Sequence, residues 1–333
     1  MFDSSSSTPV GLGGFLPFEL PTVAVDRRVM VPEGAWLVNT GRNALRLIAR
    51  SMGATSAHLP MLGCDVLADA LTAEGLDVSR YRIGRDLLPV DLPPECDNAM
   101  VVLTDIYGMV GNEVRALAER RSDAVLDLTH AVLATAPSDI PWFASYRKML
   151  GLADGAVAHV PGRARPCLDV DCSSHRYLPR LSRLDVGPEL ARAAYLSIEA
   201  DLDGVPPRIM SPLTERLLHS VDAVSVAAAR TRNFDILDHL LAAAGIARLP
   251  GSPGAAPFCW PLVTPTADCH PRFHDAGVYA PRLWPEVVER AGNGSPEGWI
   301  VEHCVPIPVD HQLDEADMND LAERIIDVMG RVR

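Results

Sequence analysis

Ala124-Val125-Leu126-Asp127-Leu128-Thr129-His130 is a short apolar run that ends on a carboxylate, and Ser145-Tyr146-Arg147-Lys148, a little further on, sets a serine three residues before a lysine. Lys148 is the single lysine of a 333-residue chain that holds 29 arginines. Arginine keeps its proton in a protein, whereas a desolvated lysine becomes a neutral amine able to attack a carbonyl. In a chain that uses arginine almost everywhere else, the one ammonium marks a candidate covalent anchor. Asp127 closes an apolar strand, where a buried carboxylate is costly unless it meets a cation. Lys148 lies just before the turn Gly151-Leu152-Ala153-Asp154-Gly155, which leads into the apolar run Ala156 to Val160.

Working outward, short apolar runs alternate with helical patterns. Ala57-His58-Leu59-Pro60 reads as a strand end, 65–73 as a helix, 78–83 as a strand, 100–104 as a strand, 113–121 as a helix and 124–127 as a strand. Short, fully apolar strands separated by helices imply a mainly parallel sheet covered on both faces, with ligands at the carboxyl ends of its strands. Thr40-Gly41-Arg42-Asn43 precedes Ala44, Leu47 and Ile48 at helical spacing, so a helix opens after a glycine turn. Residues 186–246 read as long helices rich in Ala and Leu. Residues 314–317 start a last helix that aligns Met318, Leu321, Ile325 and Met329 on one face. The expected organisation is an extended arm over 1–33, a large domain with connecting helices over 34–245, and a small C-terminal α/β domain over 246–333.

A net charge of -13 argues against nucleic acid or an anionic membrane as the main partner. No apolar stretch is long enough to span a bilayer, and the Ser-rich start lacks a signal pattern, so the sequence reads as cytoplasmic. Seven cysteines without a Cys-x-x-Cys pair read as reduced thiols. Cys167, Cys172 and His175, or His270, His274 and His303, do not complete a four-ligand zinc spacing, and no metal is expected. Ser145-x-x-Lys148 also matches the acylating serine of penicillin-binding proteins and β-lactamases, but a chain with one lysine has no Lys-Thr-Gly element. The same count removes a Gly-Lys phosphate loop, and Gly11-Leu12-Gly13-Gly14 lacks the strand and third glycine of a dinucleotide fingerprint.

Pyridoxal phosphate (PLP) requires an amine for its aldehyde, a carboxylate for its ring nitrogen, donors for its phosphate and a surface against its ring. Lys148 and Asp127 supply the first two. The helix opening at Gly41, Arg42 and Asn43 offers backbone N–H groups and the positive helix end to a phosphate, and Ser145 adds a hydroxyl. His130 faces the ring or its phenolic oxygen, or is a satisfied helix histidine. Tyr107, after the strand ending at Thr104, borders the cofactor or is a turn tyrosine, and Arg282, between Tyr279 and Trp284, meets a substrate carboxylate or is an exposed surface charge.

These residues and their spacing resemble the DegT/DnrJ/EryC1/StrS branch of the fold type I PLP-dependent aminotransferases. The likeness rests on 13–20, 40–45, 59–64, 127–130, Ser145 to Lys148 with Asp154-Gly155, and 307–310. It implies a homodimer with a large, mainly parallel sheet domain and a smaller C-terminal α/β domain. Lys148 would hold PLP as a Schiff base, Asp127 would pair with the pyridine nitrogen, and Cys64 would lie against the ring. The implied reaction moves an amino group from an amino acid, glutamate in the first instance, to a keto or aldehyde intermediate such as a nucleotide-linked keto sugar. A PLP-dependent lyase, racemase or C–C bond-forming enzyme on the same anchor, or a non-catalytic relative that binds a ligand or partner, stays open. Many members of that family carry an aromatic residue in place of Cys64 and a longer serine-to-lysine segment.

Overall fold

The computed structural model describes residues 30–292 and 294–332. Most of the arm expected over 1–33, and the 13–20 motif, lie outside the described residues. Among the described residues nine strands and ten α-helices follow in chain order: β1 (Trp36–Val38), α1 (Gly41–Met52), β2 (Ser56–Pro60), α2 (Asp65–Thr72), β3 (Asp77–Tyr81), β4 (Ala99–Thr104), α3 (Gly111–Ala118), β5 (Ala124–Asp127), β6 (Trp142–Ser145), β7 (Ala156–His159), α4 (Leu178–Asp201), α5 (Pro212–Leu218), α6 (Ala223–Ala243), β8 (Cys259–Val263), α7 (His270–Asp275), α8 (Val287–Ala291), α9 (Pro296–His303), β9 (Cys304–Pro308) and α10 (Glu315–Val332).

Seven strands form one sheet in the order β1-β7-β6-β5-β4-β2-β3. The run from β3 to β6 is parallel, and β7 lies antiparallel to both β6 and β1. Two reversals restore the direction, so β1 points the same way as β5 and β6. The ends of β1, β2, β4, β5 and β6 therefore open onto a single edge. Alternate residues of β4 explain its apolar run: Met100 and Val102 join the core under α1, whereas Val101 and Leu103 join the core on the other face.

The mainly parallel, doubly covered sheet agrees with the sequence, but β1 and β6 were not recognised as strands. Both are only three or four residues long and owe their extension to their neighbours in the sheet, β7 for β1, and β5 and β7 for β6. The helical stretch expected over 186–246 begins earlier, at Leu178. It breaks at Gly187 (φ 82°) and divides into α4, α5 and α6. β8 and β9 form a two-stranded antiparallel sheet against which α6 packs, with α10 alongside. At the start of α10, Asp314 and Asp317 accept each other's backbone N–H at 2.9 and 3.0 Å, a reciprocal cap that ties down the first turn.

Candidate active site

Lys148 ends a single 3-10 turn, Tyr146–Lys148, that leaves the carboxyl end of β6. The turn is anchored from below. The Tyr146 side chain is fully buried and its hydroxyl donates to the Met30 carbonyl, while Tyr146 N–H donates to Gly155 O at 3.1 Å. Lys148 is an exposed residue at the end of this turn, yet protein is packed densely around its amine. That enclosure governs its hydration. Loss of solvation is the largest influence and pulls the ammonium below the usual lysine range; Arg147 and Arg42 act the same way, while Cys64 and Glu199 oppose them.

Asp127 ends β5, paired in register with Phe143 of β6. It is 6% exposed, and Thr129 N–H donates to its Oδ1 at 2.9 Å. Among the described residues no cation lies within ion-pair distance of it. Burial pushes its pKa up to about 6, against the pull of the Thr129 hydrogen bonds and of Lys148. A buried carboxylate that makes no ion pair among the described residues is a place where a cationic group would be favoured.

His130 is buried and receives the Tyr107 N–H on Nδ1 at 3.1 Å. That bond assigns the proton of the neutral ring to Nε2. The imidazole stacks on Phe258 at 4.1 Å with an interplanar angle of 12°, and on Trp284 at 5.7 Å. Burial, with Lys148 as a second cause, lowers its pKa to about 3, so it is a neutral ring at physiological pH. Tyr107 itself takes a left-handed conformation (φ 59°) rare for a side-chain-bearing residue, and Gly108 follows at φ 72°. A Cβ on Gly108 would sit 2.7 Å from the His130 carbonyl oxygen, so only glycine lets this loop close on the histidine.

Cys64 caps the amino end of α2 without a side-chain hydrogen bond. Its thiol is raised by burial first, with Lys148 pulling it down and Asp127 pushing it up, which places it electrostatically between the two. The segment after Trp284 closes over this turn. Glu286 accepts the Asp65 N–H at 3.3 Å, and Arg290 donates to the carbonyls of Met61 and Gly63 at 2.8 and 2.6 Å.

At the amino end of α1 the Thr40 hydroxyl accepts the Asn43 N–H at 3.3 Å. The Asn43 side chain donates to Asn39 Oδ1 and Val205 O at 3.0 and 2.9 Å and accepts from Arg46 at 3.0 Å. Its polar atoms are thus engaged within the fold, and the first-turn donors left facing outward are the N–H groups of Gly41 and Arg42. A Cβ on Gly41 would lie 3.2 Å from Ser145 Cβ, so glycine brings the helix end against the buried serine at the end of β6. The Arg42 guanidinium reaches Asp203 at 2.5 Å.

The structure therefore brings Lys148, Asp127, His130, Cys64, Ser145 and the amino end of α1 to one edge of the sheet. Two expected contacts fall elsewhere. Tyr107 is fully buried, its phenol turned toward Cys304 and Cys259, and it supports His130 from beneath. Arg282 is held at 2.6 Å by Asp268 on the exposed surface. The sequence reading missed Phe258, which stacks on His130, and the charged group formed by Arg147, Arg180 and Glu199 beside Lys148. Adjacency to Lys148 was the available signal for Arg147; the other three arrive by tertiary contact alone.

The residues present fit PLP. A cleft lysine, a buried carboxylate without a cation at contact distance, a neutral imidazole and a glycine-lined helix end converge, and the first two match the amine and pyridine-nitrogen partners that this cofactor needs. Among the described residues no three His, Cys, Asp or Glu side chains converge on a possible metal position, and no helix is long and apolar enough to cross a membrane.

No family model matches this chain, and no curated protein matches its sequence. Solved structures do match its fold. The aminotransferase TlmJ from Streptoalloteichus hindustanus superposes with a TM-score of 0.62 at 17% identity, over 90% of this chain and 86% of that one. A DegT DnrJ EryC1 StrS aminotransferase from Brucella abortus gives 0.56 at 13% identity, over 89% and 86%. The PLP form of Spr1654 from Streptococcus pneumoniae, described as a putative sugar aminotransferase, gives 0.61 at 14% identity, over 92% and 90%. The chain has the fold of these fold type I aminotransferases along nearly its whole length.

Proposed function

We propose that this protein is a PLP-dependent aminotransferase that moves an amino group from an amino acid, glutamate in the first instance, to a keto or aldehyde biosynthetic intermediate. The observation that carries the proposal is the meeting of Lys148 and Asp127 at the carboxyl ends of adjacent strands, the amine poorly hydrated and the carboxylate without a cation in contact. When bound, PLP supplies an aldehyde that takes up amines and a ring that draws electrons from the attached carbon. The neighbours' description as sugar aminotransferases favours a keto sugar as the acceptor, nucleotide-linked in the fullest form of the proposal.

Each residue then has a defined task. Lys148 Nζ would be the amine that holds the cofactor, and its lowered pKa would suit it as the base that lifts and returns a proton at the substrate carbon. Asp127 holds the proton on the pyridine nitrogen and gains the cation its burial lacks. His130 stays neutral and offers an Nε2 proton rather than a positive charge. Gly41 and Arg42 N–H groups with the Ser145 hydroxyl bind the phosphate. Cys64 covers one side of the ring with a thiol kept protonated by burial. A second copy covers Leu178, Leu184 and Leu190 of α4, which stand largely exposed in the single chain, giving the homodimer.

The absorption spectrum with added PLP tests the proposal. A band at about 420 nm that vanishes in Lys148→Ala is expected for the lysine anchor, and L-glutamate should bleach it to the amine form in a single half-reaction. A wild-type spectrum without that band across pH would sink the proposal; a band that glutamate and other amino donors leave unchanged would favour a lyase, racemase or C–C bond-forming enzyme.

A further inference from the structure

Beside the cleft, α4 lays a group of charges across the outer side of Lys148. Arg147 Nη2 is in contact with Glu199, and Arg180 sits 5.6 Å above the Tyr195 ring. Three atoms of this group are buried without a hydrogen-bond partner: Arg147 Nε, Arg180 Nη1 and Glu199 Oε1. Among the described residues Arg180 has no carboxylate within ion-pair distance, while Arg42 has Asp203 and Arg147 has Glu199. The group is electrically continuous with the cleft: Arg147 and Glu199 bear on Lys148, and the same two bear on Arg180.

Buried guanidinium N–H groups are costly to leave unpaired, and three guanidiniums against two carboxylates leave a net positive charge at the mouth of the site. Glu199, half committed to Arg147 with its other oxygen idle, is a carboxylate that an incoming anion would displace or outcompete. Arg180 is positioned for this by the cation–π contact with Tyr195, which fixes the plane of its fork.

We propose that Arg180 and Arg147, set on Tyr195 and opposed by Glu199, form the subsite for the anionic group of the substrate, a carboxylate of the amino donor or a phosphate of the acceptor. The proposal rests on the aminotransferase reading for what the anion belongs to, but the subsite itself is a property of this surface. It takes the role that the sequence suggested for Arg282.

Calorimetric titration of the protein, with and without PLP, tests it using two unreactive probes: glutarate for a dicarboxylate and inorganic pyrophosphate for a phosphate. Wild type should bind at least one. Arg180→Gln should weaken that probe by about tenfold or more, as expected for loss of a charge-assisted bidentate contact, with Arg180→Lys in between and the Lys148-dependent band near the visible edge retained. Glu199→Gln, which relieves the guanidiniums of their neutralising carboxylate, should bind as tightly as wild type or more tightly. The probe that loses affinity in Arg180→Gln identifies the source of the anion. Wild-type affinity in Arg180→Gln, weakened affinity in Glu199→Gln, or no binding of either probe to wild type overturns the proposal. Probe binding that depends on Arg180 in a protein lacking the Lys148-dependent band would leave the subsite standing and the aminotransferase reading fallen.

Discussion

Two aspartates flank Lys148 in the chain, both buried, and they are treated in opposite ways. Asp154 has no exposed surface; Arg176 donates to it at 2.6 Å and the Thr214 hydroxyl also donates to it. The same Arg176 nitrogen donates to Asp171 at 2.7 Å, and Ser173, Ser211 and Tyr177 extend the network around Thr214. Asp127 has the Thr129 N–H and, among the described residues, no ion pair, and its pKa rises to about 6. A carboxylate that holds structure is neutralised where it lies. One left without a cation at contact distance costs stability, and the fold keeps it because something else supplies the charge.

Breaking the first aspartate should have the largest effect. Asp154→Ala leaves Arg176 with a single carboxylate and strips the Thr214 hydroxyl of its acceptor, and removing one partner of a buried ion pair costs about 3 to 5 kcal/mol. Chemical denaturation should show that loss in the protein without PLP, before any ligand contributes. An unchanged midpoint would mean that the Asp154 network is not what fixes the turn after Lys148.

Asp127→Asn should invert the pattern. The half-reaction with L-glutamate should slow on the order of 10² to 10³-fold, the scale at which losing one preorganised electrostatic partner of a reacting group is felt, while the fold persists. Stopped-flow bleaching of the Lys148-dependent band reads this directly. A variant that transaminates at the wild-type rate would remove Asp127 from the chemistry and make the two aspartates alike.

The same carboxylate predicts a pH dependence. Its folded-state pKa, about 6, lies above the unfolded value near 3.8, so the folded state holds the proton more tightly. Its contribution to stability is greatest below pH 3.8 and is lost as pH rises through 6, a loss of about 3 kcal/mol as an order of magnitude. His130 runs the other way: held neutral with its pKa lowered to about 3, it is stabilising above pH 6.5 and loses that contribution as pH falls toward 3. The two offset each other in the wild-type curve, so the informative quantity is the difference between wild type and Asp127→Asn in the protein without PLP. That difference should favour the variant increasingly from pH 4 to pH 7 and then level off; a flat difference would show that the buried carboxylate costs nothing.

What the sequence disclosed follows from where the chemistry sits. Asp127 ends a strand legible in the sequence and His130 follows three residues on, while Lys148 stands out as the single lysine and Ser145 by lying three residues before it. The Gly41 helix start was legible from its glycine turn, whereas Cys64 came from the family resemblance alone. Contacts made across the fold were not. The Arg147 to Glu199 contact joins residues 52 apart, and Asn43 is turned away from the site by Val205, 162 residues on. Tyr107 and Arg282 were read as ligands because aromatic and cationic residues near strand ends look alike whether they face the cleft or, like Tyr107, pack under it. Pairing with β5 and β7 makes Trp142–Ser145 a strand, and nothing within those four residues announces it.

The smallest effect sharpens the contrast between binding and structure at the helix end. Ser145 is buried behind Gly41, and its backbone N–H already meets the Thr129 hydroxyl at 3.4 Å, so its conformation does not depend on its own side chain. Ser145→Ala should leave thermal stability within error and weaken PLP by the worth of one hydrogen bond, about 0.5 to 1.5 kcal/mol or roughly 2- to 13-fold in dissociation constant. Fluorescence titration with PLP measures it. Equal affinities would assign the phosphate to the Gly41 and Arg42 N–H groups alone, and a loss of stability instead would place Ser145 with Asp154 among the residues that hold the fold rather than the ligand.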